Sequence, residues 1–202
     1  MPDERSQQLR LFVACELPDE VRRALGGIQD DLRRLGAGRL RWARPEGIHV
    51  TLKFLGAVEE SRVDQIAAAL GSAIAPFELR LSASGGLGGF PPQAGLRVVW
   101  VGLEGDVEKL AALAGRVEAA LAPLGFPPER RPFAAHLTLA RVPDQAPVAE
   151  RRRLAALIER YQLPPMPTMA LTQVSLMRSI PGPGGSVYHR LASFPPPLSH
   201  TT

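Results

Sequence analysis

Ile48-His49-Val50-Thr51-Leu52-Lys53-Phe54-Leu55 alternates apolar and polar residues well enough to predict a strand, and Pro45-Glu46-Gly47 marks a turn just before it. Successive side chains on a strand point to opposite faces, so His49 and Thr51 share one face while Val50, Leu52 and Phe54 share the other. The apolar set belongs in a core, which turns His49 and Thr51 outward together, with Lys53 on their side. The same word is spelled again at His136-Leu137-Thr138-Leu139, on a strand predicted from His136 to Val142. There parity pairs His136 with Thr138 and puts Leu137 and Leu139 behind them. One histidine beside a threonine on a half-buried strand is ordinarily structural; two of the chain's four histidines opening the same word make a site the better explanation.

Working outward, Leu9 to Leu17 reads as a first strand. Pro18-Asp19-Glu20 opens a helix with a stripe of Val21, Leu25, Ile28, Leu32 and Leu35, stopped at Gly36. A short extended piece surrounds Trp42. Further helices are predicted over 59–75, from Val107 to Leu121 and from Val148 to Tyr161. Further strands are predicted over 77–83, 97–103, 170–180 and 186–191. Gly85 to Pro92 reads as an irregular glycine-rich loop; it lacks the Gly-Lys-Ser/Thr ending of a phosphate loop, and Phe90 is its one site candidate. Strands and helices interleave twice, with one motif strand in each half. The predicted fold is therefore α+β, with two pseudo-symmetric lobes, each a mostly antiparallel sheet with helices on its outer face, and the active-site cleft between them. Residues 1–194 are expected to form one bilobal domain and 195–202 a disordered tail.

Composition narrows the class without naming a function. With 45% hydrophobic and 22% charged residues, 202 residues can bury a sizeable core. The net charge of +4 comes from 24 basic residues, 22 of them Arg beside Lys53 and Lys109. Arginine's planar fork suits phosphate oxygens, but joint enrichment in Arg, Ala, Gly and Pro is equally a mark of base composition, so the charge permits a nucleic-acid ligand and does not require one. Cys15 is the only cysteine, which excludes a disulfide framework and a thiolate zinc site. The polar first eight residues carry no secretory signal pattern and no apolar run is long enough to span a membrane, so a cytoplasmic protein without membrane association, and a monomer, is expected.

Two imidazoles flanking one atom suit concerted acid and base catalysis, because each titrates near neutrality and one can be charged while the other is neutral. Two threonine hydroxyls on the same faces complete a cup of four donors for a tetrahedral phosphate, and phosphoester cleavage is the matching reaction. A zinc site needs a third ligand, and neither motif strand offers Asp, Glu or Cys on its histidine face, so metal-independent chemistry without a cofactor is expected. No Gly-x-Ser-x-Gly is present for a serine triad. His189 is a weaker site candidate, and His200 lies in the tail.

From about residue 9 to 194 the chain resembles the two-histidine phosphoesterase superfamily, and within it the RNA 2′,3′-cyclic phosphodiesterases, also called 2′-5′ RNA ligase-like proteins. The resemblance rests on 10–14 (RLFVA), Arg41-Trp42, the eight residues from His49 to Gly56, Gly88-Gly89-Phe90, Val98-Val99-Trp100 and 136–141 (HLTLAR), with weaker matches at 176–179 and Tyr188. Ala135 departs from the family's usual Pro before the second histidine, which removes no catalytic group. The resemblance implies hydrolysis of a 2′,3′-cyclic phosphate end of an RNA or oligonucleotide to a 2′-phosphomonoester, with reversible 2′-5′ ligation in some members. It implies His49 as proton donor, His136 as proton acceptor, and Thr51, Thr138 and Arg141 as phosphate ligands, although strict alternation puts Arg141 on the face opposite His136. Phe12, Trp42 and Phe90 become candidates to stack on a base, core packing being the competing role of Phe12. The alternative from another class is a non-catalytic module that holds RNA ends or nucleotides in the same cleft.

Overall fold

A computed structural model of the chain describes residues 7–37, 39–91, 95–182 and 185–195. Its framework starts with β1 (Gln8–Glu16), whose Leu9, Leu11, Val13 and Cys15 alternate into the main core. Phe12 and Ala14 turn to the other face, where Met177 joins them in a small separate cluster. In α1 (Asp19–Arg34), acidic residues open the first turn and arginines close the last, each favourable to the helix dipole. Val21, Leu25, Ile28 and Leu32 are buried. Leu35, expected to continue their stripe, lies past the helix end and is exposed, and Gly36 reverses the chain at φ +100°.

The remaining elements are β2 (Arg41–Trp42), β3 (His49–Glu59), α2 (Val63–Ala73), β4 (Leu79–Ser82), β5 (Leu87–Phe90), β6 (Val98–Gly102), β7 (Glu104–Gly105), α3 (Val107–Leu121), β8 (His136–Arg141), α4 (Val148–Arg160), β9 (Thr168–Leu171), β10 (Val174–Ile180) and β11 (Val187–Phe194). Two four-stranded antiparallel sheets carry the motifs: β11-β10-β1-β3 holds His49 and β2-β8-β6-β5 holds His136. Helices lie behind both sheets. Glu118 of α3 meets Lys53 on the core side of β3, and the Gln29 amide of α1 donates to the Ala43 carbonyl at 2.8 Å and the Leu139 carbonyl at 2.9 Å. Among the described residues no helix is long and apolar enough to cross a membrane.

Three expectations are corrected. The lobes are not the two halves of the chain, because β10 and β11 return to the sheet of the first motif and β2 joins the sheet of the second. The single strand expected over 170–180 divides at Thr172-Gln173, so that β9 pairs with β4 in a small third sheet, β7-β4-β9, and only β10 continues beside β1. The glycine-rich stretch is not an irregular loop: Leu87–Phe90 pairs with β6 as an edge strand. Glycine is needed there because a Cβ on Gly88 would come within 2.2 Å of the Trp100 ring and one on Gly89 within 1.9 Å of Leu96.

Both motif strands also break the alternation they begin with, and at the same letter of the word. Thr51 pairs with Ala14 but Lys53 with the adjacent Val13, leaving Leu52 as an extra residue; Thr138 pairs with Trp100 but Ala140 with Val99, leaving Leu139 extra. Each bulge reverses the parity of the residues after it. Lys53, expected beside His49, therefore points into the core, where it is 6% exposed and its Nζ meets the Glu118 carboxylate and the Pro127 carbonyl. Phe54, expected in the core, is turned out and is 70% exposed.

Candidate active site

His49 and His136 are mounted in the same way. His49 Nδ1 lies 2.7 Å from the Gly47 carbonyl oxygen, and His136 Nδ1 lies 2.7 Å from the Ala134 carbonyl oxygen, two residues upstream in each case. A carbonyl only accepts, so each Nδ1 carries the hydrogen and donates it. That leaves each Nε2 as the ring nitrogen that can act as a base when the ring is neutral and as an acid when it is charged.

Aromatic rings fix both imidazoles laterally. Phe12 stacks on His49 with centroids 4.7 Å apart, and Tyr188 meets it edge-on at 5.1 Å. Phe90 meets His136 edge-on at 5.2 Å and Trp100 lies 6.2 Å from it. Burial among these neighbours disfavours the charged imidazole and holds His49 below the ordinary histidine range, against the pull of the Gly47 hydrogen bond and the Glu16 carboxylate; the charges of Arg22 and His136 add to the lowering. β3 and β8 are in contact where the two sheets meet, and Thr51 and Thr138, both half-buried, lie on the faces of their respective histidines.

The bulge at Leu139 settles the position of Arg141. It pairs with Val98, two residues from the Trp100 that pairs with Thr138, so Arg141 shares the face of Thr138 and is exposed there. Phe90 is on this face as well, paired with Val98 and partly exposed. The other two aromatic candidates have different surroundings. Phe12 is 3% exposed with its faces taken by His49, Tyr188 and Phe54, so it supports the His49 ring. Trp42 pairs with Ala140 on the core side, under the Arg33 guanidinium 4.6 Å from its ring. His189 pairs with Arg178, which pairs with the core residue Leu11, and so faces away from Tyr188 and His49. His200 and the expected tail from 196 onward lie outside the described residues.

Alternation along single strands does not reveal the groups that reach His49 from elsewhere. Tyr188 approaches so closely that a Cβ on Gly47 would lie 3.1 Å from its ring. Glu16, opposite His49 in register, accepts from Ser175 Oγ at 2.7 Å and from Arg190 Nε at 2.6 Å and Nη2 at 2.9 Å. Its hydrogen bonds with Arg190 hold this carboxyl below the usual carboxylate range. The nearest carboxylate in the His49 row is thus engaged, and among the described residues no three His, Cys, Asp or Glu side chains gather as a ligand set. Cys15 is no rival nucleophile, since burial pushes its thiol up to about 12.

The family model of the 2′-5′ RNA ligase superfamily matches residues 17–182, across both mounted histidines. The chain belongs to the 2′-5′ RNA ligase superfamily. Within it, the chain is 33% identical to the RNA 2′,3′-cyclic phosphodiesterase of Methanothermobacter thermautotrophicus over 93% of this chain and 98% of that protein. It is also 33% identical to the enzyme of the same name from Archaeoglobus fulgidus, over 92% of this chain and 99% of that one. Among solved structures, the TT0787 protein of Thermus thermophilus superposes with a TM-score of 0.70 at 30% identity, covering 92% of this chain and 97% of that one. E. coli LigT complexed with 3′-AMP superposes with a TM-score of 0.68 at 25% identity, covering 93% and 98%. This member of the superfamily therefore shares the two-lobed α+β fold of its relatives along nearly its whole length.

Proposed function

We propose that this protein is a metal-independent RNA 2′,3′-cyclic phosphodiesterase that opens cyclic phosphate ends to 2′-phosphomonoesters. The observation that carries the reading is the matched pair of imidazoles, each with Nδ1 tied to a carbonyl and Nε2 left to act. Its relatives' names point to the same reaction. A water oxygen attacks phosphorus and gives its proton to His136 Nε2. The bond from phosphorus to the 3′ oxygen breaks, and His49 Nε2 delivers its proton to that oxygen. Thr51, Thr138 and Arg141 hold the non-bridging oxygens as charge builds on them, and Phe90 offers a ring for the terminal base. With a 5′-hydroxyl in place of water the same displacement makes a 2′-5′ linkage, and its reversal, with the two histidines exchanging roles, cleaves one.

This assignment has a pH signature. His49 must be charged to donate, and its burial makes that form scarce but strongly acidic. The active form needs His49 charged and His136 neutral together, so kcat/KM is bell-shaped in pH, and with His49 held low its acid limb lies below the roughly 6.5 of an unperturbed histidine. A bound phosphate anion favours the charged ring and moves the same limb upward in kcat. Hydrolysis of a nucleoside 2′,3′-cyclic phosphate across pH, with chelator present, is the test. A kcat/KM that does not fall at high pH overturns the assignment of a charged imidazole as donor, and binding without turnover favours a module that only holds RNA ends.

A further inference from the structure

On the outward face of the second sheet, Arg41 of β2 stands directly opposite Arg141 of β8. Both are exposed, and no hydrogen bond or ion pair ties either to an acidic side chain among the described residues. Like charges directly opposed on antiparallel strands destabilise the pairing. Elsewhere the same chain balances Arg22, Arg33, Arg34 and Arg190 with carboxylates. The bulge at Leu139 is what brings the pair to the histidine side, because without it Arg141, and Arg41 with it, would face α1. The register continues Arg41, Arg141, Val98, Phe90 across four neighbouring strands. With strands about 4.8 Å apart, that row spans roughly 14 Å, about the extent of a dinucleotide laid across the sheet.

We propose that Arg41 binds the internucleotide phosphate next to the reacting end, making this row a subsite that selects an RNA strand over a mononucleotide. The inference rests on the proposed phosphodiesterase reading. Arg141 faces the cyclic phosphate, Phe90 lies on one side of it under the terminal base, and Arg41 lies on the other, where the chain leaves over β2. A bare guanidinium is suited to this task, since its fork meets two oxygens of a phosphodiester and needs no protein counter-ion once the strand is bound. Arg41 touches no reacting atom and acts on specificity alone.

The test compares Arg41→Ala and Arg41→Glu with the unaltered protein on two substrates, uridine 2′,3′-cyclic phosphate and a uridine hexamer ending in a 2′,3′-cyclic phosphate. Arg41→Ala is expected to raise KM for the hexamer roughly tenfold, Arg41→Glu further, with kcat unchanged and with the mononucleotide turned over as before. The slope of log KM for the hexamer against log salt should shrink by about 0.7, the share of one single-strand phosphate contact. Equal losses on both substrates, or no loss on the hexamer, overturn the proposal. If the unaltered protein turns over neither substrate, the phosphodiesterase reading fails on its own account. Binding of a hexamer ending in a 3′-phosphate then decides on Arg41, by whether Arg41→Ala removes the same salt-dependent affinity.

Discussion

Replacing His136 or His49 by alanine lowers turnover by about 10²- to 10⁴-fold while the chain stays folded. Each imidazole contributes one hydrogen bond, to its own strand's approach, and sits half-buried at the edge of the core, so its removal costs about 1–2 kcal/mol of stability. The two losses do not multiply. A displacement that needs a donor and an acceptor in one transition state is already disabled when either is gone, and the double variant should be little worse than the weaker single one. Steady-state rates set beside thermal melts separate the effects, and a single variant retaining full activity would contradict the proposed chemistry. Asparagine at either position can still donate to a carbonyl but cannot carry the proton, so it should restore the melt and leave the rate low.

The largest effect on stability is expected at Lys53, which takes no part in the reaction. Its ammonium lies in the core between the Glu118 carboxylate and the Pro127 carbonyl. Lys53→Met keeps the aliphatic stem but leaves a largely buried carboxylate without its cation, a loss of about 3–5 kcal/mol. For a chain of this size that lowers the melting temperature by roughly 6–20 °C. Adding Glu118→Gln removes the stranded charge and should recover much of the loss. Differential scanning calorimetry of the single and double variants checks this; a single variant melting within about 2 °C of the unaltered protein would show that the pair is solvated and weak.

The position of Lys53 also shows how far strand parity can be carried. Parity places His49, Thr51, His136 and Thr138 correctly because both repeats run regularly for their first three residues. It then misplaces Lys53, Phe54 and Arg141 together, because each strand takes one extra residue at the leucine of the motif and nothing in the local pattern announces it. The glycine-rich stretch is misread for a related reason. Glycines signal irregular backbone when seen alone, whereas here they make room for Trp100 and Leu96, a demand set by contacts between strands. Tyr188 and Glu16 are far from the motifs in sequence and come beside His49, and Arg190 comes to Glu16, only through the order β11-β10-β1-β3. The facing of the two histidines and two threonines is therefore legible in two short words, and the groups that support them are not. Phe12 illustrates both sides, buried as its apolar strand predicts and yet spent on holding the His49 ring.

In the proposed reaction the bond from phosphorus to the 3′ oxygen is the one that breaks, between two imidazoles and with no metal taking part. It is tested most directly by incubating an RNA oligonucleotide bearing a 2′,3′-cyclic end with the protein in excess EDTA and assigning the product by phosphorus NMR. Undiminished turnover to the 2′-phosphomonoester alone is the expected result; a 3′-phosphomonoester, a mixture of the two, or loss of activity on chelation would contradict it.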